Sequence, residues 1–182
     1  MIGRRKVERL LDEFPDEVEY HRSDDHVVTC PTELYFVPTP IETVVRILRK
    51  LELTPENRVV DLGCGDGRFV ISAAYLYGCE GVGVDVREDV LELALTKSET
   101  LGVDDKTIFI HSDVRDVDLL ELDPDVVFVY LVPSLLEEIS EELVSCGATI
   151  VSYTFEVPGL GAPEVLRLDD LRRAYVYRGV SH

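Results

Sequence analysis

The sequence predicts a doubly wound, mostly parallel α/β sheet with helices on both faces. Three observations carry that expectation. From residue 59 onward, strand-length apolar runs alternate with segments of helical period. One run, Val59–Leu62, passes through Asp61 into the turn Gly63-Cys64-Gly65-Asp66-Gly67 and then into a helical segment at Arg68. Another, Asp125–Leu131, is almost continuously apolar, as a strand buried on both faces must be.

Each element has its own signal. Residues 4–14 set Val7, Leu10, Leu11 and Phe14 on one helical face, ending at Pro15. Residues 15–33 are polar and acidic, and read as an irregular arm. Residues 1–33 are therefore separated from a main domain at 34–182. Thr39-Pro40-Ile41-Glu42 combines a capping threonine, a proline at the first helical position and a glutamate three residues after the cap. The helix it opens runs to Leu51, with Ile41, Val44, Val45 and Leu48 on one face. Strands are expected at Val59–Leu62, Gly81–Val86 and Thr107–His111, with helices at Arg68–Tyr77 and Glu88–Leu101 between them. An acidic connection through Asp113, Asp116 and Asp118 leads to the strand at Asp125–Leu131. Ser134-Leu135-Leu136-Glu137 reads as a capping box opening a helix to Ser145. Ala148–Tyr153 is a strand, and Glu164–Leu168 with Ala174–Tyr177 forms a closing antiparallel pair at the edge. Right-handed crossovers then place any ligand at the carboxyl ends of the parallel strands.

Composition narrows the function classes. At 182 residues, 46% hydrophobic and 30% charged, the chain fits one soluble globular domain. No apolar run approaches the roughly 20 residues of a bilayer span, and the basic N-terminus lacks the apolar segment of a secretory signal. A cytoplasmic location and a monomer are the expectations. The formal charge of −18 repels phosphate backbones and disfavours nucleic acid. It suits either a saline host interior or basic protein partners. Cys30, Cys64, Cys79 and Cys146 form no Cys-x-x-Cys pair and read as reduced thiols. His21, His26 and Cys30 match no ligand spacing, so no metal is expected.

The glycine turn carries the chemistry. Gly63, Gly65 and Gly67 permit close backbone approach and positive φ angles. A dinucleotide site wants a further glycine where Arg68 stands, and a pyrophosphate would meet the carboxylates of Asp61 and Asp66. A cofactor bearing an ammonium and a sulfonium finds those charges favourable, which points to S-adenosyl-L-methionine. Asp61 then accepts from the ammonium. Asp85, 18 residues after Gly67 at the end of the second strand, accepts from the ribose hydroxyls. Asp113 after the third strand meets the adenine amine, with the Val114 amide against the ring. Cys64 within the turn and Val86 beside Asp85 join this cofactor-binding set.

These motifs resemble the class I S-adenosylmethionine-dependent methyltransferases, which implies a Rossmann-like methyltransferase fold with a seven-stranded sheet. Tyr35-Phe36-Val37-Pro38-Thr39-Pro40, Gly65-Asp66-Gly67-Arg68 and Ser152-Tyr153-Thr154-Phe155-Glu156 are more narrowly similar to archaeal protein-lysine methyltransferases. By that resemblance Phe36, Val37, Pro38 and Thr39 fold over the cofactor and shape a lysine channel. Tyr35 stands where the family usually has proline. Phe36, Thr39 and Tyr130 are the candidate catalytic residues, and Tyr130 also belongs to the cofactor pocket. After the fourth strand, Tyr130-Leu131-Val132-Pro133-Ser134 has no acid or amide to hold a base amine, and no paired glutamates mark an arginine acceptor. The resemblance therefore implies a basic, lysine-bearing protein as acceptor, with Glu156 near its entrance. An RNA or small-molecule acceptor, or a cofactor-binding module without catalysis, are the alternatives.

Overall fold

A computed structural model describes residues 2–16 and 37–179. It contains β1 (Arg58–Leu62), β2 (Glu80–Asp85), β3 (Thr107–His111), β4 (Val126–Val129), β5 (Thr149–Tyr153), β6 (Glu164–Arg167) and β7 (Arg173–Tyr177). These form one seven-stranded sheet in the order β3-β2-β1-β4-β5-β7-β6. Strands β1 to β5 are mutually parallel, whereas β7 runs antiparallel to both β5 and β6. The expected doubly wound sheet with an antiparallel closing pair is therefore present.

The helices are α1 (Arg4–Glu13), α2 (Ile41–Leu51), α3 (Arg68–Tyr77), α4 (Glu88–Leu101), α5 (Leu119–Leu122), α6 (Pro133–Glu138) and α7 (Ser140–Ser145). The two-residue period of the strands divides the core. Val59 and Phe128 face one layer, shared with Leu10 of α1 and Phe14 just after it, Leu48 of α2 and Phe69 of α3. Val60, Leu62, Val127 and Val129 face the other, against Leu119, Leu136 and Leu143 of α5 to α7. The chain enters the sheet at β1, builds outward to β3, then returns to place β4 on the other side of β1. That reversal leaves a crevice between the carboxyl ends of β1 and β4.

Local details depart from expectation in four places. Helix α2 is not capped by Thr39: Pro40 occupies the cap position, and its side chain offers no acceptor. Instead Asp16 Oδ1 accepts from the Ile41 amide at 3.2 Å, so the cap comes from the end of the α1 segment. The helix expected from Ser134 to Ser145 is two short helices broken at Ile139, and Pro133, not Ser134, starts the first. The fourth strand ends at Val129, two residues short of Leu131, because Tyr130 and Leu131 turn into the crevice wall. The acidic connection folds as a 3-10 turn (Val114–Asp116) and then α5, capped by the Asp113 and Asp118 carboxylates respectively. His21, His26 and Cys30, like Tyr35 and Phe36, lie outside the described residues. No helix among the described residues is long and apolar enough to cross a membrane.

Gly67 has a packing reason for its identity. It caps α3 at φ +73°, and an added Cβ would stand 2.8 Å from Phe109, 2.9 Å from Ala94 and 2.9 Å from Ile71. The glycine lets α3, α4 and β3 close on one another. Gly67→Ala is expected to cost about 2–4 kcal/mol through combined strain and overpacking. Urea unfolding followed by far-UV circular dichroism measures it, as the chain has no tryptophan.

Candidate active site

The crevice at the carboxyl ends of β1, β2 and β4 is a cleft of about 240 Å³. Its walls come from the turn after β1, the ends of β2 and β4, the 3-10 turn after β3, and Val37-Pro38-Thr39 ahead of α2. Eleven of the positions singled out from the sequence line it: Val37, Pro38, Thr39, Asp61, Gly63, Cys64, Asp85, Val86, Asp113, Val114 and Tyr130. Gly65 and Gly67 are not among the lining residues. Gly65 instead donates its amide to Asp85 Oδ2 at 2.8 Å, tying the turn to β2. Gly63 approaches the other side closely, since a Cβ there would lie 2.7 Å from Leu131 Cδ2. Gly83 on β2 leaves room for the Cys64 sulfur, since a Cβ there would lie 2.7 Å from it.

The two carboxylates beside the turn have opposite fates. Asp66 does not face the cleft as a free anion. Arg68 grips it through Nε at 2.9 Å and Nη2 at 2.9 Å, and Lys97 Nζ approaches at 3.3 Å, all in a buried setting. The same guanidinium donates to the Thr39 carbonyl at 2.8 Å and the Pro15 carbonyl at 3.4 Å. Arg68 thus fastens the 37–40 segment and the end of the α1 segment to the glycine turn. Asp61 has no such partner. It shares a sheet face with Val59 and Phe128, is 3% exposed, and its Oδ1 has no hydrogen bond. Burial first, then the nearby charges of Asp85 and Asp66, pushes its carboxyl well above the usual range.

Asp85 is organised by backbone amides. Gly65 donates to Oδ2 at 2.8 Å and Arg87 to Oδ1 at 2.9 Å, leaving a lone pair on each oxygen. Asp113 is held by its own neighbour: Arg115 donates from Nε at 2.9 Å and Nη2 at 2.6 Å. These bonds, with the Arg115 amide, bring the Asp113 carboxyl down to about 2. Two aromatic pairs lie at the cleft and behind it. Phe69 stacks on Phe128 at 3.9 Å between centroids, and Tyr130 meets Tyr153 edge-on at 4.7 Å.

Several lining residues escaped the sequence reading. Phe128 was accessible in principle, lying two positions before Tyr130 on the same strand face. Arg115, two residues after Asp113, carried a weaker signal. Phe69 and Leu135 had none, because apolar helix residues look alike whether they face a core or a cleft.

The ANTKMT methyltransferase domain matches this chain over residues 61–164. A protein-lysine N-methyltransferase of Saccharolobus islandicus is 32% identical over 139 residues, covering 74% of this chain and 85% of that protein. The chain belongs to the ANTKMT methyltransferase family. The methyltransferase also superposes on an RNA methyltransferase of Salinibacter ruber crystallised with S-adenosyl-L-homocysteine. That match has a TM-score of 0.74 and 31% identity, and covers 80% of this chain and 95% of that one. A S-adenosylmethionine-dependent methyltransferase of Geobacter sulfurreducens, also with S-adenosyl-L-homocysteine, matches with a TM-score of 0.55 and 25% identity. There the coverage is 72% of this chain and 51% of that one. S-adenosyl-L-methionine is accordingly the cofactor of this methyltransferase.

The residues present fit that cofactor. The unpartnered, buried Asp61 oxygen is a site that an ammonium would satisfy, and a phosphate would not. The raised carboxyl also has a sign. Stability tied to a neutral Asp61 is full below about pH 4 and is lost as pH rises toward its elevated folded value. Asp61→Asn is therefore expected to raise the melting temperature of the ligand-free protein at pH 7 by about 2–4 °C per kcal/mol relieved. It should also weaken S-adenosyl-L-methionine binding by about tenfold or more, measured by calorimetry.

Proposed function

We propose that this methyltransferase methylates the side-chain amine of lysine in a protein acceptor. The observation carrying the reading is the chemistry of the wall after β4. Tyr130, Leu131 and Val132 line the cleft there, along with Val37 and Pro38, and none is an acid or amide able to grip the exocyclic amine of a base. The acids that do line the cleft have other partners or another position: Asp66 on Arg68, Asp113 on Arg115, Asp85 on backbone amides, and Asp61 beside the glycine turn. The Saccharolobus relative, named a protein-lysine N-methyltransferase, supports the same acceptor class. The formal charge of −18 favours a basic protein over a polyphosphate.

When bound, S-adenosyl-L-methionine supplies an electrophilic methyl group on sulfonium. Asp61 is assigned to its ammonium, Asp85 to its ribose hydroxyls, and Asp113 with Val114 to its adenine end. Thr39 and Tyr130 frame the acceptor side; Phe36, the remaining candidate there, is outside the described residues. The amine must arrive neutral. The apolar wall disfavours its protonated form, and held orientation supplies much of the acceleration. No side chain is required as base, because the proton leaves to water.

A second reading has one specific support, the Salinibacter structure described as an RNA methyltransferase. Methyl-labelled cofactor offered to protein and RNA fractions separates the two. Label is expected in protein, on lysine by peptide mapping; label confined to RNA would overturn the lysine assignment. With a lysine acceptor the rate should climb about tenfold per pH unit below the amine pKa near 10.

A further inference from the structure

The Tyr130–Tyr153 pair extends beyond the cleft in a way that the assigned cofactor contacts do not use. Strand register brings the two together: Val129 pairs with Ser152, so the next residues on β4 and β5 fall side by side. Tyr130 is half-buried and lines the cleft; Tyr153 stands behind it, 3% exposed and absent from the lining. Their rings meet at 68°. Tyr153 in turn interacts with Arg172, on the turn between β6 and β7.

That turn is braced from several sides. Asp169 pairs with the Arg172 guanidinium and also accepts from the amides of Leu171 at 2.9 Å and Arg172 at 2.7 Å. Leu168 is buried, and its amide donates to the Arg172 carbonyl at 3.0 Å. Arg46 of α2 reaches the carbonyls of Leu168 and Arg167. At the end of β5, Thr154 adopts φ +78°, unusual for a β-branched residue, and its amide donates to Arg173 at 2.9 Å. A strained residue and a braced turn thus converge on one ring that touches no ligand position.

We propose that Tyr153 is a positioning residue: backed by the Asp169–Arg172 turn, it fixes the Tyr130 ring at the acceptor side of the cleft. This rests on the proposed lysine acceptor, whose methylene stem and amine the Tyr130 face would orient. Tyr130 lines the same cleft as the cofactor residues, but the contacts assigned to Asp61, Asp85 and Asp113 pass through neither Tyr153 nor the turn behind it. Its signature is therefore a loss confined to the acceptor.

The test uses the full chain and steady-state kinetics with whichever acceptor fraction the wild type labels. Tyr153→Leu is expected to raise acceptor KM about five- to tenfold, with kcat and S-adenosyl-L-homocysteine affinity within about twofold. Tyr153→Phe, which keeps the ring, should bring KM back to within about threefold of wild type. The proposal is overturned if Tyr153→Leu leaves KM unchanged, if Phe is as impaired as Leu, or if cofactor affinity falls in parallel. Should Tyr153→Leu fail to fold, Arg172→Gln decides: a KM rise of about twofold or more sustains the role, and an unchanged KM removes it. The lysine reading fails separately, when wild type labels only RNA. The same variants measured on that RNA then still test whether Tyr153 positions Tyr130.

Discussion

One buried ion pair organises this molecule. Asp66 and Arg68 are both nearly inaccessible, at 1% and 4% side-chain exposure, and burying two charges carries a large desolvation cost. The cost is offset by geometry: two parallel hydrogen bonds between them, two further backbone carbonyls for the guanidinium, and Lys97 beside the carboxylate. Phe14 lies against both cations, with Arg68 at 5.6 Å and Lys97 at 4.3 Å from its ring. Such a pair adds little net stability over an apolar substitute. What it fixes is arrangement, since its four partners come from the residues just after α1, the 37–40 segment and α4. The wall of the cleft, the start of α2 and the approach of the N-terminal segment all follow from one guanidinium.

The same pair explains why the site has its particular polarity. Two aspartates flank the glycine turn, and either alone would offer a cation a partner. Arg68 neutralises one of them, so a single unsatisfied carboxylate remains, and it is the one on the cleft floor. Burial, with the nearby charges of Asp85 and Asp66, already holds the Asp61 carboxyl well above the usual range. Separate treatment of two neighbouring acids thus leaves one paired with Arg68 and the other with an unpartnered oxygen.

Much of the fold was legible because parallel strands and their helices carry strong periodic signals. Helices α3 and α4 begin and end where the sequence pattern placed them, at Arg68–Tyr77 and Glu88–Leu101, and α2 ends at Leu51 as expected but starts one residue late, at Ile41. The misjudged places are those where a local rule met a tertiary competitor. Thr39 and Glu42 form a plausible capping box, yet Thr39 is drawn into the Arg68 network and Asp16 caps instead. Ser134 loses to Pro133, whose fixed φ already suits a helix start. In the site, single acidic residues at strand ends were readable because the fold puts strand ends at the cleft. Partners such as Lys97 on Asp66 or Tyr153 behind Tyr130 were not, because they depend on register and side-chain direction across elements distant in sequence.

Helix α2 touches both sides of this arrangement. Its first residue follows the Val37–Pro40 segment that Arg68 anchors, and Arg46 five positions later holds the carbonyls that end β6. At 1.5 Å per residue these two attachments are separated by roughly 7.5 Å of rigid helix. The helix is in effect a ruler between the cleft wall at 37–40 and the β6–β7 turn, and the distance between them is a property of its backbone, not of the side chains that line the cleft. Substitutions in the lining can change what is gripped, but the separation of these two attachments changes only with the length of helix between Ile41 and Arg46.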